Sequence, residues 1–204
     1  MNIKINEIWA YYINPDSFTH RRNSIEQTVG NLGLKGVTRI AFNEQLNERA
    51  NTMSMAHITA LKQAIEDNNF PCIIFEDDAK QMKPLPEYFD IPEEATLIYL
   101  GGSNYESGQT PKMYLEEYNE EYYRVYYMLS FHAVLISDKE SAILVKNMLM
   151  GAISQTIFND IMIAMHSKQL LYLTPKEGNY FFQDDYTENV TKFLWKDCLK
   201  RFLK

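Results

Sequence analysis

A wholly apolar strand that runs straight into three carboxylates constrains this chain more than any other feature. Residues 71–75 read Pro71-Cys72-Ile73-Ile74-Phe75, and Glu76-Asp77-Asp78 follow without a spacer. An uninterrupted apolar run of this length, closed by a turn, suits a strand buried on both faces inside an α/β sheet. Three like charges at the end of such a strand are costly unless something positive, or water, meets them. Side chains alternate along extended chain, so Glu76 and Asp78 can share a direction while Asp77 points elsewhere. Two readings of the cluster stand side by side. One is a hard divalent cation held by carboxylate oxygens, Mg²⁺ or Mn²⁺. The other is a solvated turn in which Asp77 and Asp78 cap the next segment.

The rest of the chain alternates strand and helix around this run. Ile8 to Ile13 is an apolar, aromatic-rich strand broken by Asn14-Pro15-Asp16. Ser17 or Thr19 can cap a helix carrying Ile25, Val29 and Leu32, with Gly33 as its stop. Gly36 to Ala41 predicts a short strand. Ser54 to Asp67 predicts a helix, since Ile58, Leu61 and Ile65 share one face, and Asn68 and Asn69 end it. Leu97 to Leu100 is a strand ending in Gly101-Gly102-Ser103. Residues 104–127 are polar and rich in tyrosine and read as a loop or lid. Phe131 to Ile136 resumes as strand. Ser137 or Asp138 then caps a helix with Ala142, Leu144, Val145, Met148 and Leu149 on it. Leu170 to Leu173 is a late strand. This alternation predicts a single α/β domain over residues 1–204, with a mostly parallel sheet and helices on both faces. Ligands in such sheets sit at the carboxyl ends of the strands. Three polar clusters fall there: Asn14 to Arg22, Glu76 to Asp78, and Gly101 to Asn104.

Composition narrows the class. At 204 residues a chain hides roughly 70% of its unfolded surface and needs no staples. A net charge of −7 argues against a nucleic-acid partner. Two cysteines, Cys72 and Cys198, make no disulfide framework, and no Cys/His spacing suggests zinc. Asn2, Lys4, Asn6 and Glu7 interrupt any apolar start, and no window approaches a membrane span, so a soluble cytoplasmic protein is expected. The final stretch, Lys192 to Lys204, mixes basic and apolar residues. A basic amphipathic helix over 190–204 has two readings: peripheral contact with the inner membrane face, or a closing helix packed on the core.

Three further positions carry chemistry. His20-Arg21-Arg22, after the Asn14 turn, offers an Arg fork and helix-start N–H groups to a phosphate, or else exposed helix charges paired with Glu26. His57, on the helix before the acidic strand, reads as a hydrogen-bond partner for the loop or nucleotide near the acids. Asp160, in Phe158-Asn159-Asp160-Ile161, interrupts an apolar segment. It is either a general base or a first-turn helix acid.

Taken in order, these pieces resemble glycosyltransferase family 25, the lipopolysaccharide and collagen galactosyltransferase type. Ile13-Asn14-Pro15-Asp16 followed by Arg21 is similar to its opening Ile-Asn-Leu-Asp…Arg pattern, with Pro15 in place of Leu. Met53 to Leu61 is similar to its Cys-x-x-Ser-His-x-x-x-Leu helix, with Ala56 where Ser is usual. Ile74-Phe75-Glu76-Asp77-Asp78-Ala79 resembles its Ile-Leu-Glu-Asp-Asp-Ala core, and Phe131 to Ser137 its Thr-x-Ala-Tyr-x-Ile-Ser strand. Asn159-Asp160 and Tyr180 to Gln183 resemble two later segments. The likeness spans about residues 8 to 185.

The resemblance implies a GT-A fold, Rossmann-like, and a hexosyltransferase that moves galactose or glucose from a UDP-sugar to a hydroxyl of a glycan or lipid-linked saccharide. Lipopolysaccharide biosynthesis is the implied setting. It implies Mn²⁺ or Mg²⁺ on Glu76 and Asp78, nucleotide contacts from Asn14, Arg21, His57, Asp77, Gly101 and Gly102, and Asp160 as catalytic base. The same chemistry on a protein or a hydroxylated base, or sugar-nucleotide binding without turnover, are the alternatives. Many GT-A enzymes add a late His to the metal. This chain has none after His166, so either its metal affinity is weak or Asp184 or Asp185 completes the site.

Overall fold

The structure is a computed structural model, and it describes residues 1–43, 49–102, 114–128 and 131–183. The elements follow the apolar runs. They are β1 (Asn2–Lys4), β2 (Trp9–Pro15), α1 (Thr19–Gly30), β3 (Gly36–Phe42), α2 (Arg49–Asp67), β4 (Cys72–Glu76), β5 (Ala79–Gln81), β6 (Tyr88–Asp90) and β7 (Ala95–Tyr99). Then come β8 (Tyr114–Glu117), β9 (Tyr122–Tyr127), β10 (Ala133–Ile136), α3 (Lys139–Gln155), α4 (Asn159–Met165), β11 (Leu171–Pro175) and β12 (Phe181–Gln183).

Eight strands form the central sheet in the order β3-β2-β4-β10-β7-β11-β9-β8. β2 runs parallel to β3 and β4, and β11 runs parallel to β7. β10 is antiparallel to both β4 and β7, and β9 is antiparallel to both β11 and β8. Most strands therefore share one direction, with β10 and β9 reversed, and the α/β fold class expected from the alternation is the one observed.

The central strands are buried on both faces because both faces are covered. On one side Tyr11, Ile13, Ile74, Tyr99, Val134 and Tyr172 pack against α2, α3 and α4. On the other, Ile73, Phe75, Ile98 and Leu135 pack against Ile25 and Val29 of α1. Each large aliphatic side chain so buried contributes roughly 1.5–3 kcal/mol. α3 begins where the sequence placed it: the Asp138 side chain accepts a hydrogen bond from Ser141 N. α1 begins after Phe18, and no side chain caps it, so neither Ser17 nor Thr19 serves that role. α2 starts at Arg49, earlier than the periodicity shows, and ends where Asn68 takes a positive φ of 54°.

One expectation is corrected. Residues 114–127 are not a loop: Tyr114–Glu117 and Tyr122–Tyr127 pair as an antiparallel hairpin at the edge of the sheet. Asn119 turns it, its side-chain oxygen accepting from the backbone N–H groups of Glu121 and Tyr122. The remainder of the expected lid, the Ser103-Asn104 end of the third cluster, Asp184, Asp185 and the 190–204 segment lie outside the described residues. Among the described residues no single helix is long and apolar enough to cross a membrane.

Candidate functional site

The reversed direction of β10 brings the polar clusters together. Its first residues lie at the same sheet edge as the last residues of β4 and β7. Glu76 N donates to His132 O at 2.8 Å, and Leu100 N and Gly101 N donate to Ala133 O at 2.9 and 3.3 Å. The acidic turn after β4 and the Gly101-Gly102 turn after β7 thus flank one strand end, and the Asn14-Pro15 end of β2 adjoins β4.

Asn14 is fully buried and organises its end of the site. Its Nδ2 donates to Asp77 Oδ2 at 2.7 Å and to Phe18 O at 3.1 Å. Its Oδ1 accepts from Arg22 Nε at 3.2 Å and from Arg39 Nη2 at 3.1 Å. Arg39 Nη2 also donates to Asp16 Oδ1 at 2.7 Å. Arg21 Nη1 pairs with Asp77 Oδ1 at 3.2 Å, and its guanidinium lies 4.9 Å from the centre of the Phe18 ring. Both oxygens of Asp77 are therefore engaged from the β2–α1 side. Side-chain alternation does separate Asp77 from Glu76: Glu76 meets His57 on the α2 side.

His57 is completely buried on α2. Its Nδ1 lies 3.0 Å from Met53 O, and a carbonyl can only accept, so the proton sits on Nδ1. Nε2 points at the acidic turn, 3.5 Å from Glu76 Oε1. The ring also packs against Phe131, 4.9 Å between centroids. Burial pushes the imidazole down to about 4, against the opposing pull of the Met53 and Phe131 backbone. His57 is thus a neutral ring whose free lone pair faces the acids.

The two glycines have structural roles at this edge. A Cβ on Gly101 would fall 2.3 Å from His132 Nε2 and 2.7 Å from Phe181 O. Gly102 is held on both sides by Asn179, which accepts from its N–H at 3.0 Å and donates to its carbonyl at 2.8 Å. Gly101→Ala is expected to cost about 1–3 kcal/mol or more, because the Phe181 backbone cannot step aside as a flexible side chain can. Urea denaturation of the variant checks this, and unchanged stability would show that the edge can open.

Asp160 lies in the first turn of α4. Its Oδ1 accepts from Ile161 N at 2.8 Å, and its own N–H is bound by Asn159 Oδ1 at 2.9 Å. Burial holds its carboxyl above the usual aspartate range. Its charge acts on the phenols of Tyr99 and Tyr127, which places it beside β7 and β9. The acidic turn follows β4, and β10 lies between β4 and β7, so Asp160 stands further along the sheet than the acids.

Beside the Asn14 end of β2, a cleft of about 230 Å³ opens between the end of β3 and the start of α2, lined in part by Ile40, Phe42, Asn43, Thr52 and Met55. Sequence reasoning missed Arg39, His132 and Asn179. An arginine inside the β3 run was the available signal, because pairing β3 parallel to β2 sets Arg39 opposite Tyr12, two residues from Asn14.

No protein-family model matches the chain, and no curated protein matches it. Solved structures do. A CTP:phosphocholine cytidylyltransferase from Streptococcus pneumoniae is similar over 99% of this chain and 100% of its own, with a TM-score of 0.52 and 13% identity. A glycosyltransferase involved in the glycosylation of the major capsid of PBCV-1 is similar over 95% of this chain and 90% of its own, with a TM-score of 0.54 and 10% identity. The chain has the mixed α/β fold that these nucleotidyl- and glycosyltransferases share.

Proposed function

We propose that this protein is a transferase that takes a group from a nucleotide-activated donor at the edge formed by the ends of β2, β4 and β7. One observation carries the reading. A buried strand ends in Glu76-Asp77-Asp78, with Asp77 pinned by Asn14 and Arg21 and Glu76 facing a neutral buried histidine, on a fold shared with transferases. Fixing the middle acid from behind presents the turn in one orientation, as an ion- or diphosphate-binding loop requires.

The finer reading is a hexosyltransferase acting on a UDP-sugar, galactose or glucose, with a hydroxyl of a glycan or lipid-linked saccharide as acceptor. A divalent cation fits the residues present. Glu76 and Asp78 offer hard carboxylate oxygens, and Mg²⁺-type ions commonly bind one or two carboxylates and take their remaining ligands from substrate phosphate and water. Among the described residues no group of three or more His, Cys, Asp or Glu side chains converges, so such an ion would depend on the diphosphate to complete its shell. When bound, it would neutralise the charge that develops on the leaving diphosphate.

The chain's own residues do the rest. Arg21 and Asn14 hold the turn and present their cluster toward the nucleotide. The cleft between β3 and α2 offers partly apolar room for a base beside them. Asp160, with its raised carboxyl pKa, would receive the acceptor's proton.

The test is thermal stability with UDP and, separately, CTP, each with and without Mn²⁺ or Mg²⁺. Stabilisation by UDP plus metal supports the hexosyltransferase reading. Stabilisation by CTP alone among the nucleotides moves the chain toward nucleotidyl transfer. No response to either sinks the proposal. Asp78→Asn, which removes charge but keeps shape, is expected to abolish the metal-dependent part of the UDP response while the fold stays intact. Unchanged binding would reject Asp78 as a ligand.

A further inference from the structure

The buried Asn14 carboxamide has one orientation that its neighbours allow. Arg39 approaches it from β3, two strands from β4 in the sheet, with 24% of its side chain exposed. Arg39 Nε and Nη2 donate to Asn14 Oδ1 at 3.3 and 3.1 Å. Nη2 also donates to Asn14 O at 3.3 Å and to Asp16 Oδ1 at 2.7 Å. Arg22 Nε adds a further donor to Asn14 Oδ1 at 3.2 Å. A guanidinium carries no acceptor, so the carboxamide must turn its oxygen toward these two side chains. Its nitrogen is thereby aimed at Asp77 Oδ2, 2.7 Å away. The reversed carboxamide would set oxygen against carboxylate and NH₂ against guanidinium. Asn14 is fully buried, where a donor or acceptor left unmade is costly.

We propose that Arg39 is a positioning residue for Glu76-Asp77-Asp78, acting through the Asn14 carboxamide. Its planar fork holds Asn14 Oδ1 and Asp16 Oδ1 together, so it ties the carboxamide to the turn that follows β2. Arg22 reaches the same oxygen from α1, and Arg39 supplies the tie from the sheet itself. With Asp77 drawn toward β2, its neighbours Glu76 and Asp78 are held to one turn geometry. Loss of the fork lets the carboxamide rotate, and the bond to Asp77 goes with it. The role at the site rests on the acidic turn meeting the donor, whereas the geometry that Arg39 imposes does not.

Amide NMR of the whole chain reads the turn directly and requires no turnover. In Arg39→Gln the Asn14 carboxamide protons should exchange at least about tenfold faster than in the wild type. The backbone signals of Glu76, Asp77 and Asp78 should move with them. Arg39→Lys separates position from charge, because an ammonium keeps the cation but cannot span both oxygens as a fork does. It should displace the same three signals. Signals at 76–78 left in place in either variant overturn the proposal, even if the melting temperature falls. If Arg39→Gln does not fold, Arg39→Lys decides alone. Affinity for UDP with Mn²⁺ should fall at least about tenfold in the variants, as it does when binding groups are misplaced. Shifted signals with that affinity unchanged overturn the role at the site. A wild-type chain with no UDP response sinks the donor reading, and the signals at 76–78 still decide whether Arg39 positions the turn.

Discussion

Acidification from pH 6.5 to about 4.5 is expected to remove on the order of 5 kcal/mol of folding stability, a large part of what a domain this size has. His57 and His132 are both fully buried, and burial lowers each to about 4 from the ordinary 6.5. Between those values the unfolded chain binds protons that the folded chain refuses. Stability is then complete above pH 6.5 and falls as pH drops toward 4, by roughly 2–3 kcal/mol per ring at pH 4.5. Asp160 works in the opposite sense. Its folded carboxyl takes up a proton before the unfolded one does, so its burial penalty fades on acidification and offsets a small part of the loss. Urea denaturation at stepped pH measures the slope. A flat profile between 6.5 and 4.5 would mean that the rings are protonated in the fold or reach water.

Asp160→Asn is expected to cut transfer by about 10²-fold or more while leaving UDP binding within about twofold, as the loss of a positioned base should. The variant should also be no less stable at neutral pH. A carboxyl with a raised pKa destabilises the fold when ionised, and asparagine keeps the shape and the acceptor oxygen for Ile161 N while removing the charge. Loss of transfer together with loss of stability would point to a first-turn helix acid and nothing more. Normal transfer would remove Asp160 from the chemistry. Single-turnover sugar transfer and thermal melts on the same preparation separate these cases.

The sequence displayed the interior of this fold better than its borders. β2, β4, β7 and β10 were legible because strands buried on both faces must be apolar at nearly every position. α2 was legible from the shared face of Ile58, Leu61 and Ile65, and α3 from its Asp138 cap. The Tyr114–Tyr127 hairpin was not, because an edge hairpin keeps much of its surface toward solvent and its Tyr/Glu alternation imitates a polar loop. β1, β5, β6 and β12 are three residues each and exist only through distant partners, so no local pattern announces them. The reversal of β10 left no trace in periodicity either, since direction is set by which strands its backbone meets.

At the site, the carboxylate cluster and the approach of His57 could be read from residue order. The engagement of Asp77 could not, because Asn14, Arg21 and Asp77 are joined only once β2 lies beside β4. Gly101 and Gly102 invited a ligand reading that the structure answers first with packing, by His132, Phe181 and Asn179.

β5 begins one residue after Asp78 and is clasped by β12, with Ala79 opposite Gln183 and Gln81 opposite Phe181. The loop bearing the acids is therefore fastened on its far side by a stretch translated about a hundred residues later. A nascent polypeptide halted before position 181 would contain the whole eight-stranded sheet and both buried histidines, yet its acid-bearing loop would lack its clasp. Competence should arrive late in synthesis, as a single closing event.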